Sequence, residues 1–205
     1  MKIAVQILYT ESWVDIAKIV VPNTVRYCMR HGYSWHIHCV DSPFNPFEKL
    51  SKAKSVLKDA DVVVSLDADA FITNHNIKVE DIIGEQESVL YIAKDYNGIN
   101  AGVFILQRHY LLNTFLERCL LYQGQPGIHC EQDAFVKWVT DFPILTKEAV
   151  TFIPQKKLNA YMYELYPEIP QPQPGQWETG DFILHLPGVS MEKRKDILSN
   201  IKTIE

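Results

Sequence analysis

Two aspartates separated by a single alanine follow an apolar run in the first half of the chain. Asp67 and Asp69 come directly after the segment 61–66 (DVVVSL), whose composition is typical of a buried strand. In an extended chain, side chains two positions apart share a face, so both carboxylates can turn towards one hard cation. A divalent ion held there can bind the phosphate oxygens of a nucleotide. A lone Asp-X-Asp is also consistent with a turn cap beside a solvated aspartate.

The elements around this motif place it at the edge of a sheet. Strands are expected at 2–9, 33–40, 61–66, 88–93 and 101–106, and helices at about 12–31, 47–58, 110–122 and 131–139. Another strand-like run follows a proline-rich stretch, at 177–186. The alternation predicts an α/β fold with a mixed, mostly parallel sheet flanked by helices. Open sheets of this kind bind ligands at the carboxyl ends of their strands, which is where Asp67 and Asp69 are expected.

Composition narrows the class of protein. The chain has 205 residues, of which 47% are hydrophobic and 22% charged, as in an average globular domain. The net charge is −5 and the 20 basic residues are scattered, which argues against a nucleic-acid partner. No run approaches the roughly 18 apolar residues of a membrane span. Four cysteines without a CxxC pair favour free thiols in a reducing compartment, so we expect a soluble, cytoplasmic protein.

Four segments of the sequence resemble, in the same order, those of nucleotide-sugar glycosyltransferases with the GT-A (Rossmann-like) fold. They are LSKAKSVLKDADVVVSLDADAFITN, NGINAGVFILQRHYLLNTFLERC, EQDAFVKWV and GDFILHLPG. Among these enzymes the chain is most similar to the galactosyl- and xylosyltransferase family of yeast mannan and plant xyloglucan synthesis, over residues 2–188. It also resembles the compact capsid-glycosylating domains that chlorella viruses encode, which would place it in the cytoplasm of an infected host.

The resemblance implies that residues 1–205 form one glycosyltransferase domain. Such a domain would transfer a sugar from a nucleoside diphosphate sugar, most simply a UDP-sugar, to a hydroxyl group of a glycan or glycoprotein, with retention of anomeric configuration. It would use Mn²⁺ or Mg²⁺ held by Asp67, Asp69 and His185. Neutral imidazole beside carboxylates is a suitable ligand set for Mn²⁺.

The resemblance also assigns the donor pocket. The residues that would contact the nucleotide sugar are Tyr9, Thr10, Lys52, Asp67, Asp95, Asn100, Gly102, Gln132 and Gly188. Within this set, Tyr9 and Thr10 would hold uracil and ribose, and Gly188 would let the backbone approach the diphosphate because it lacks a Cβ. For the lysine that faces the nucleotide, Lys49 is an alternative to Lys52.

Two carboxylates of the EQD segment are candidates for the catalytic group. Asp133 would steady the cationic sugar in the transition state, by analogy with glycoside hydrolysis, and Glu131 would lie beside it. For Glu131, capping of the predicted helix is the structural alternative.

Three other functions remain open from the sequence. A nucleotidyltransferase, or another metal-dependent nucleotide enzyme, could use the same aspartates, although the chain lacks GxxxxGK[ST] and GxGxxG phosphate loops. A carbohydrate-binding domain without turnover and a hydrolase that cleaves the donor are the other two.

Overall fold

The computed structural model describes residues 1–205 and is built on a six-stranded sheet with the order β2-β1-β3-β6-β5-β7. Its strands are β1 (Ile3–Tyr9), β2 (Ser34–Cys39), β3 (Val62–Leu66), β5 (Leu90–Asp95), β6 (Gly98–Gln107) and β7 (Val150–Ile153). Strand β6 pairs antiparallel with β3 and β5, and the other neighbouring strands pair parallel. The predicted mixed, mostly parallel sheet is confirmed, with β7 as a strand that the sequence did not indicate.

Two short strands form a second sheet, and they bring distant parts of the chain together. Strand β4 (Ala70–Ile72) pairs antiparallel with β8 (Ile183–His185), so that Ala70 lies opposite His185. The strand expected over 177–186 is therefore much shorter. Its first half forms a turn instead, because the backbone N–H of Glu178 donates to the carboxylate of Asp181 at 2.8 Å.

Eight helices flank the sheets. They are α1 (Val14–His31), α2 (Glu48–Val56), α3 (Val79–Ile83), α4 (Leu112–Leu121), α5 (Glu131–Asp141), α6 (Pro143–Ala149), α7 (Gln155–Leu158) and α8 (Met191–Asn200). Helix α1 ends at Gly32, whose left-handed φ of 69° favours glycine. None of the helices has the length and apolar character needed to cross a membrane. All four cysteines are free, as expected.

The central strands β1 and β3 of the six-stranded sheet are buried on both faces, as their apolar sequences require. In β3, Val62, Val64 and Leu66 belong to one hydrophobic cluster, which helices α1 and α8 complete. Val63 points the other way, into a second cluster formed with α2, α4 and α5. This rigid support on both faces fixes the carboxyl end of β3, where the two aspartates follow.

Candidate active site

A cleft with a volume of about 460 Å³ opens where β1, β3 and β8 end. Its walls include six of the residues that the sequence assigns to a metal or a nucleotide sugar, namely Tyr9, Thr10, Asp67, Asp69, His185 and Gly188. The remaining donor-pocket residues from the sequence lie outside this cleft.

The two aspartates occupy a turn rather than the end of a strand. Strand β3 stops at Leu66, and the N–H of Ala70 donates to the carbonyl of Asp67 at 3.0 Å, which closes the turn. The argument that they share one face of an extended strand is therefore wrong. Their carboxylates converge because the pairing of β4 with β8 places a histidine against this turn.

Asp67, Asp69 and His185 form a group that could hold a metal ion. The Nε2 atom of His185 lies 3.3 Å from Asp69 Oδ1 and 3.8 Å from Asp67 Oδ2. One potential ligand atom from each of the three residues lies within 4.8 Å of the others. Two carboxylate oxygens and one imidazole nitrogen are ligands that Mn²⁺ accepts, and the carboxylates also suit Mg²⁺.

Asp69 is almost completely buried, with 4% of its surface exposed. Burial by itself raises the pKa of Asp69, but His185 and Arg194 beside it outweigh this effect and hold the pKa below its usual value. The Nη2 atom of Arg194 lies 3.0 Å from Asp69 Oδ2. Asp69 is therefore ionised at neutral pH, as a metal ligand must be.

Asp67 takes part in a second charged group. The ammonium group of Lys49 contacts the Asp67 carboxylate directly, and it lies 2.7 Å from Glu131 Oε1. Burial alone would lower the pKa of Lys49, but these two carboxylates raise it, so Lys49 stays charged. For Glu131, burial raises the pKa and Lys49 opposes the shift only in part.

Of the two candidate lysines, Lys49 is the one that contacts Asp67, and Lys52 lies outside the cleft. The charge of Lys52 contributes, after burial, to the lowered pKa of His38. The two lysines are three residues apart on α2 and so share one side of the helix. Sequence spacing could not separate them.

The two carboxylates of the EQD segment, at the start of α5, make different contacts. Asp133 Oδ2 accepts hydrogen bonds from the backbone N–H groups of His129 (2.7 Å) and Cys130 (3.2 Å), so Asp133 caps the helix. The capping role considered for Glu131 is wrong, because its carboxylate is buried against Lys49. Between them, Gln132 Oε1 accepts from the N–H of Ala101 at 3.0 Å.

Asp95 and Asn100, expected in the sugar pocket, are hydrogen-bonded to each other. Asp95 Oδ2 accepts from Asn100 Nδ2 at 3.0 Å and from the Tyr161 hydroxyl at 2.9 Å. Asn100 Oδ1 accepts from the N–H of Gly102 at 2.9 Å. The structure thus places this pair behind His185, next to the cleft.

The two glycines expected in the donor pocket have different surroundings. A Cβ on Gly102 would lie 2.0 Å from Cε1 of His185, so the imidazole ring occupies the space that a side chain would need. A Cβ on Gly188 would meet no protein atom, and its φ of 70° is what favours glycine there. The open space beside Gly188 belongs to the cleft.

Arg194, Trp13 and Asn159 also contribute to the site and were not identified from the sequence. Arg194 of α8 pairs with Asp69 and stacks over Trp13, with its guanidinium carbon 4.5 Å from the ring centroid. Asn159 Oδ1 lies 2.9 Å from Nδ1 of His185. The segment MEKRK around Arg194 has the composition of an exposed helix, so no local pattern indicated a buried arginine.

Comparison with known proteins agrees with this geometry. Residues 83–196 match the model of the galactosyl transferase GMA12/MNN10 family. The chain is 25% identical over 218 residues to an uncharacterized alpha-1,2-galactosyltransferase of Schizosaccharomyces pombe, which covers 83% of this chain and 56% of the relative. It is 26% identical over 140 residues to a probable alpha-1,2-galactosyltransferase of the same yeast, covering 66% of this chain and 36% of that one. The chain thus spans about half the length, or less, of these curated relatives.

Solved glycosyltransferase structures share the fold. A glycosyltransferase involved in glycosylation of the major capsid of PBCV-1 aligns with a TM-score of 0.73 at 14% identity, over 97% of this chain and 99% of that one. The galactosyltransferase LgtC, solved with donor and acceptor sugar analogues, aligns with a TM-score of 0.57 at 11% identity, over 98% and 97% of the two chains. A mutant of Drosophila galactosyltransferase 7, solved with manganese, UDP-Gal and xylobiose, aligns with a TM-score of 0.52 at 14% identity, over 95% and 74%. The fold is that of GT-A glycosyltransferases.

Proposed function

Since the chain belongs to the galactosyl transferase GMA12/MNN10 family, we propose that it transfers a sugar from a UDP-sugar to a hydroxyl group of a glycan or glycoprotein, with retention and with the help of a divalent metal. The observation that carries this proposal is the convergence of Asp67, Asp69 and His185 on one point in the wall of the cleft. The relatives named as galactosyltransferases make galactose the first donor sugar to test.

The residues present fit a metal ion of the Mn²⁺ or Mg²⁺ type. Asp69 is ionised, Asp67 keeps one oxygen on Lys49 and turns the other towards His185, and the histidine supplies a nitrogen. When bound, such an ion neutralises negative charge that develops on the departing diphosphate. The cleft beside the group has room for the rest of the nucleotide.

The donor would lie along the cleft from the end of β1 towards Gly188. Tyr9 is half-buried and Thr10 is 9% exposed, and both line the wall where uracil and ribose would be held. At the other end, the turn at Gly188 offers open space for the diphosphate. Arg194 also lines the cleft, where its charge offsets that of Asp69.

Retention by a double displacement requires a group on the sugar face opposite the diphosphate. Glu131 and Asp133 are the proposed candidates, and the sugar would lie near the start of α5. Asp133 uses Oδ2 for the helix cap and has Oδ1 available for a ligand. Glu131 makes its pair with Lys49 through Oε1, so its role is to fix Lys49 and Asp67 unless the pair opens.

A product assay tests this function. UDP-galactose and other UDP- and GDP-sugars are incubated with Mn²⁺ and a panel of glycan acceptors, and the products are analysed by mass spectrometry and proton NMR. We expect a new glycoside whose anomeric configuration matches that of the donor. Free sugar without a glycoside would indicate a hydrolase, and nucleotide transfer to the acceptor would indicate a nucleotidyltransferase; either result would contradict the proposal.

A further inference from the structure

A chain of hydrogen bonds runs from the last residue of β5 to Nδ1 of the His185 ring. Asp95 Oδ2 accepts from Asn100 Nδ2 at 3.0 Å, and Asn100 Oδ1 lies 2.8 Å from Asn159 Nδ2. Asn159 Oδ1 in turn lies 2.9 Å from Nδ1 of His185. Asn159 is completely buried, so each of its polar atoms needs a partner, and the chain provides one at both ends.

The direction of these hydrogen bonds is fixed by groups that cannot reverse. The backbone N–H of Gly102 can only donate, and it donates to Asn100 Oδ1 at 2.9 Å. The Asp95 carboxylate accepts from the Tyr161 hydroxyl at 2.9 Å and from the N–H of Asn97 at 2.7 Å, as well as from Asn100. A reversed Asn100 amide would set its NH₂ against one N–H donor and its oxygen against a carboxylate.

The fixed orientation of Asn100 determines that of Asn159. Because Asn100 presents its oxygen, Asn159 must present its NH₂ there, and its own oxygen then faces His185. An oxygen beside Nδ1 requires that Nδ1 carries the proton. In the neutral ring, which is the form that a metal ion binds, the other nitrogen, Nε2, then carries the lone pair.

Nε2 faces the two aspartates, at 3.3 Å from Asp69 Oδ1 and 3.8 Å from Asp67 Oδ2. Without a metal ion, a proton on Nε2 can bridge these atoms. A divalent cation placed between them would take the place of that proton. The ring cannot escape sideways, because Gly102 lies against its edge and Tyr161 packs on it with 5.5 Å between ring centroids.

We propose that Asn159 is a positioning residue, which acts with Asn100 and Asp95 to hold His185 in the tautomer whose Nε2 can bind a metal ion. The inference rests on the proposed function for its metal, but the contact between Nδ1 and Asn159 Oδ1 is present in the metal-free protein. Groups that orient a ligating histidine in this way commonly contribute 10- to 100-fold to metal affinity. Asp95 and Asn100 then serve the metal site as well as any sugar they contact.

The test uses a near-isosteric variant at position 159. In metal-free, ¹⁵N-labelled protein, long-range ¹H–¹⁵N correlation reports which nitrogen of His185 is protonated, and the His185→Ala spectrum assigns the signal. At a pH at which the ring is neutral, we expect the Nδ1–H form in the wild type. Asn159→Leu removes the acceptor, so it should give a mixture of tautomers and bind Mn²⁺ roughly 10-fold or more weakly in calorimetry.

A second variant changes Asn100, which contacts Asn159 rather than His185. Asn100→Ala removes the group that fixes the Asn159 amide, and we expect it also to mix the tautomers. Its folding is checked by its melting temperature, in case Asn159→Leu does not fold. An Nε2–H form in the wild type, or an unchanged tautomer in Asn159→Leu and Asn100→Ala, would overturn the inference. A wild-type protein with the expected tautomer but no Mn²⁺ binding would contradict the proposed metal instead, since the tautomer is read without metal.

Discussion

Arg194 donates to the carboxylate of Asp69, with 3.0 Å between Nη2 and Oδ2, and both side chains are 6% exposed. Arg194 lies on α8 and is also fixed by the residue that follows β8, since the same Nη2 donates to the carbonyl of Leu186 at 3.0 Å. The contact leaves Oδ1 of Asp69 facing His185. The Asp69 carboxylate thus connects the C-terminal helix α8 to the candidate metal site.

Loss of this arginine should destabilise the protein. Arg194→Met keeps the length of the side chain but leaves Asp69 buried without its cation, which costs about 3 kcal/mol in the free energy of unfolding. Arg194→Lys keeps the charge and should lose clearly less. Urea unfolding of the metal-free proteins measures both values. Equal stabilities of the wild type and Arg194→Met would show that the ion pair between Arg194 and Asp69 does not stabilise the fold.

Gly102→Ala should weaken metal binding through His185. The added Cβ would overlap the imidazole ring, so the ring must shift away from the aspartates, and Mn²⁺ affinity should fall at least ~10-fold. Calorimetry on the single and double variants checks the route. If the effect passes through His185, adding Gly102→Ala to His185→Ala should cause no further loss. A further loss in the double variant would show that Gly102→Ala weakens metal binding by a route other than His185.

His75 should make the protein less stable in acid. It is 2% exposed, and its Nε2 accepts from Asn23 Nδ2 at 3.1 Å, so the neutral ring fits the site. Burial lowers the pKa of His75 to about 4, compared with about 6.5 in the unfolded chain. Between these values the unfolded state binds more protons, so the free energy of unfolding falls as the pH drops from about 6.5 to 4.

Matched variants isolate this contribution in urea unfolding at a series of pH values. His75→Gln keeps a hydrogen-bond acceptor but cannot titrate, so its stability should decline less over this interval. His129→Gln, at an exposed position, should follow the wild-type profile. Identical pH profiles for the wild type and His75→Gln would contradict the lowered pKa.

The sequence predicted the sheet, the main helices and the convergence of Asp67, Asp69 and His185. Strand patterns and the family resemblance can both be recognised in short continuous segments of the chain. It could not decide between Lys49 and Lys52, which lie on one side of the same helix. It also could not connect Arg194 to Asp69, since 125 positions separate them and only the packing of α8 brings them together. Strands β4 and β8 have three residues each, too few for a periodic pattern.

Asp133 has a structural task and a proposed catalytic one, and two substitutions separate them. Asp133→Asn keeps an oxygen that can accept from the N–H groups at the start of α5, so stability should change little. If the carboxylate steadies the cationic sugar, turnover should still fall by at least ~100-fold, with donor affinity nearly unchanged. Asp133→Ala should lose turnover and about 1 kcal/mol of stability. Near-normal kcat in Asp133→Asn would remove Asp133 from the reaction and turn attention to Glu131.

The most direct test of the metal-dependent site is a calorimetric titration of UDP, and of the UDP-sugar that the product assay identifies, into the wild type and into Asp69→Asn. The asparagine keeps the shape of the side chain but lacks the charge that a hard cation requires. We expect the wild type to bind in Mn²⁺ and to lose binding in EDTA, and Asp69→Asn to show no binding in either, with a melting curve that confirms a folded protein. Equal affinities of the wild type in Mn²⁺ and in EDTA would contradict the account.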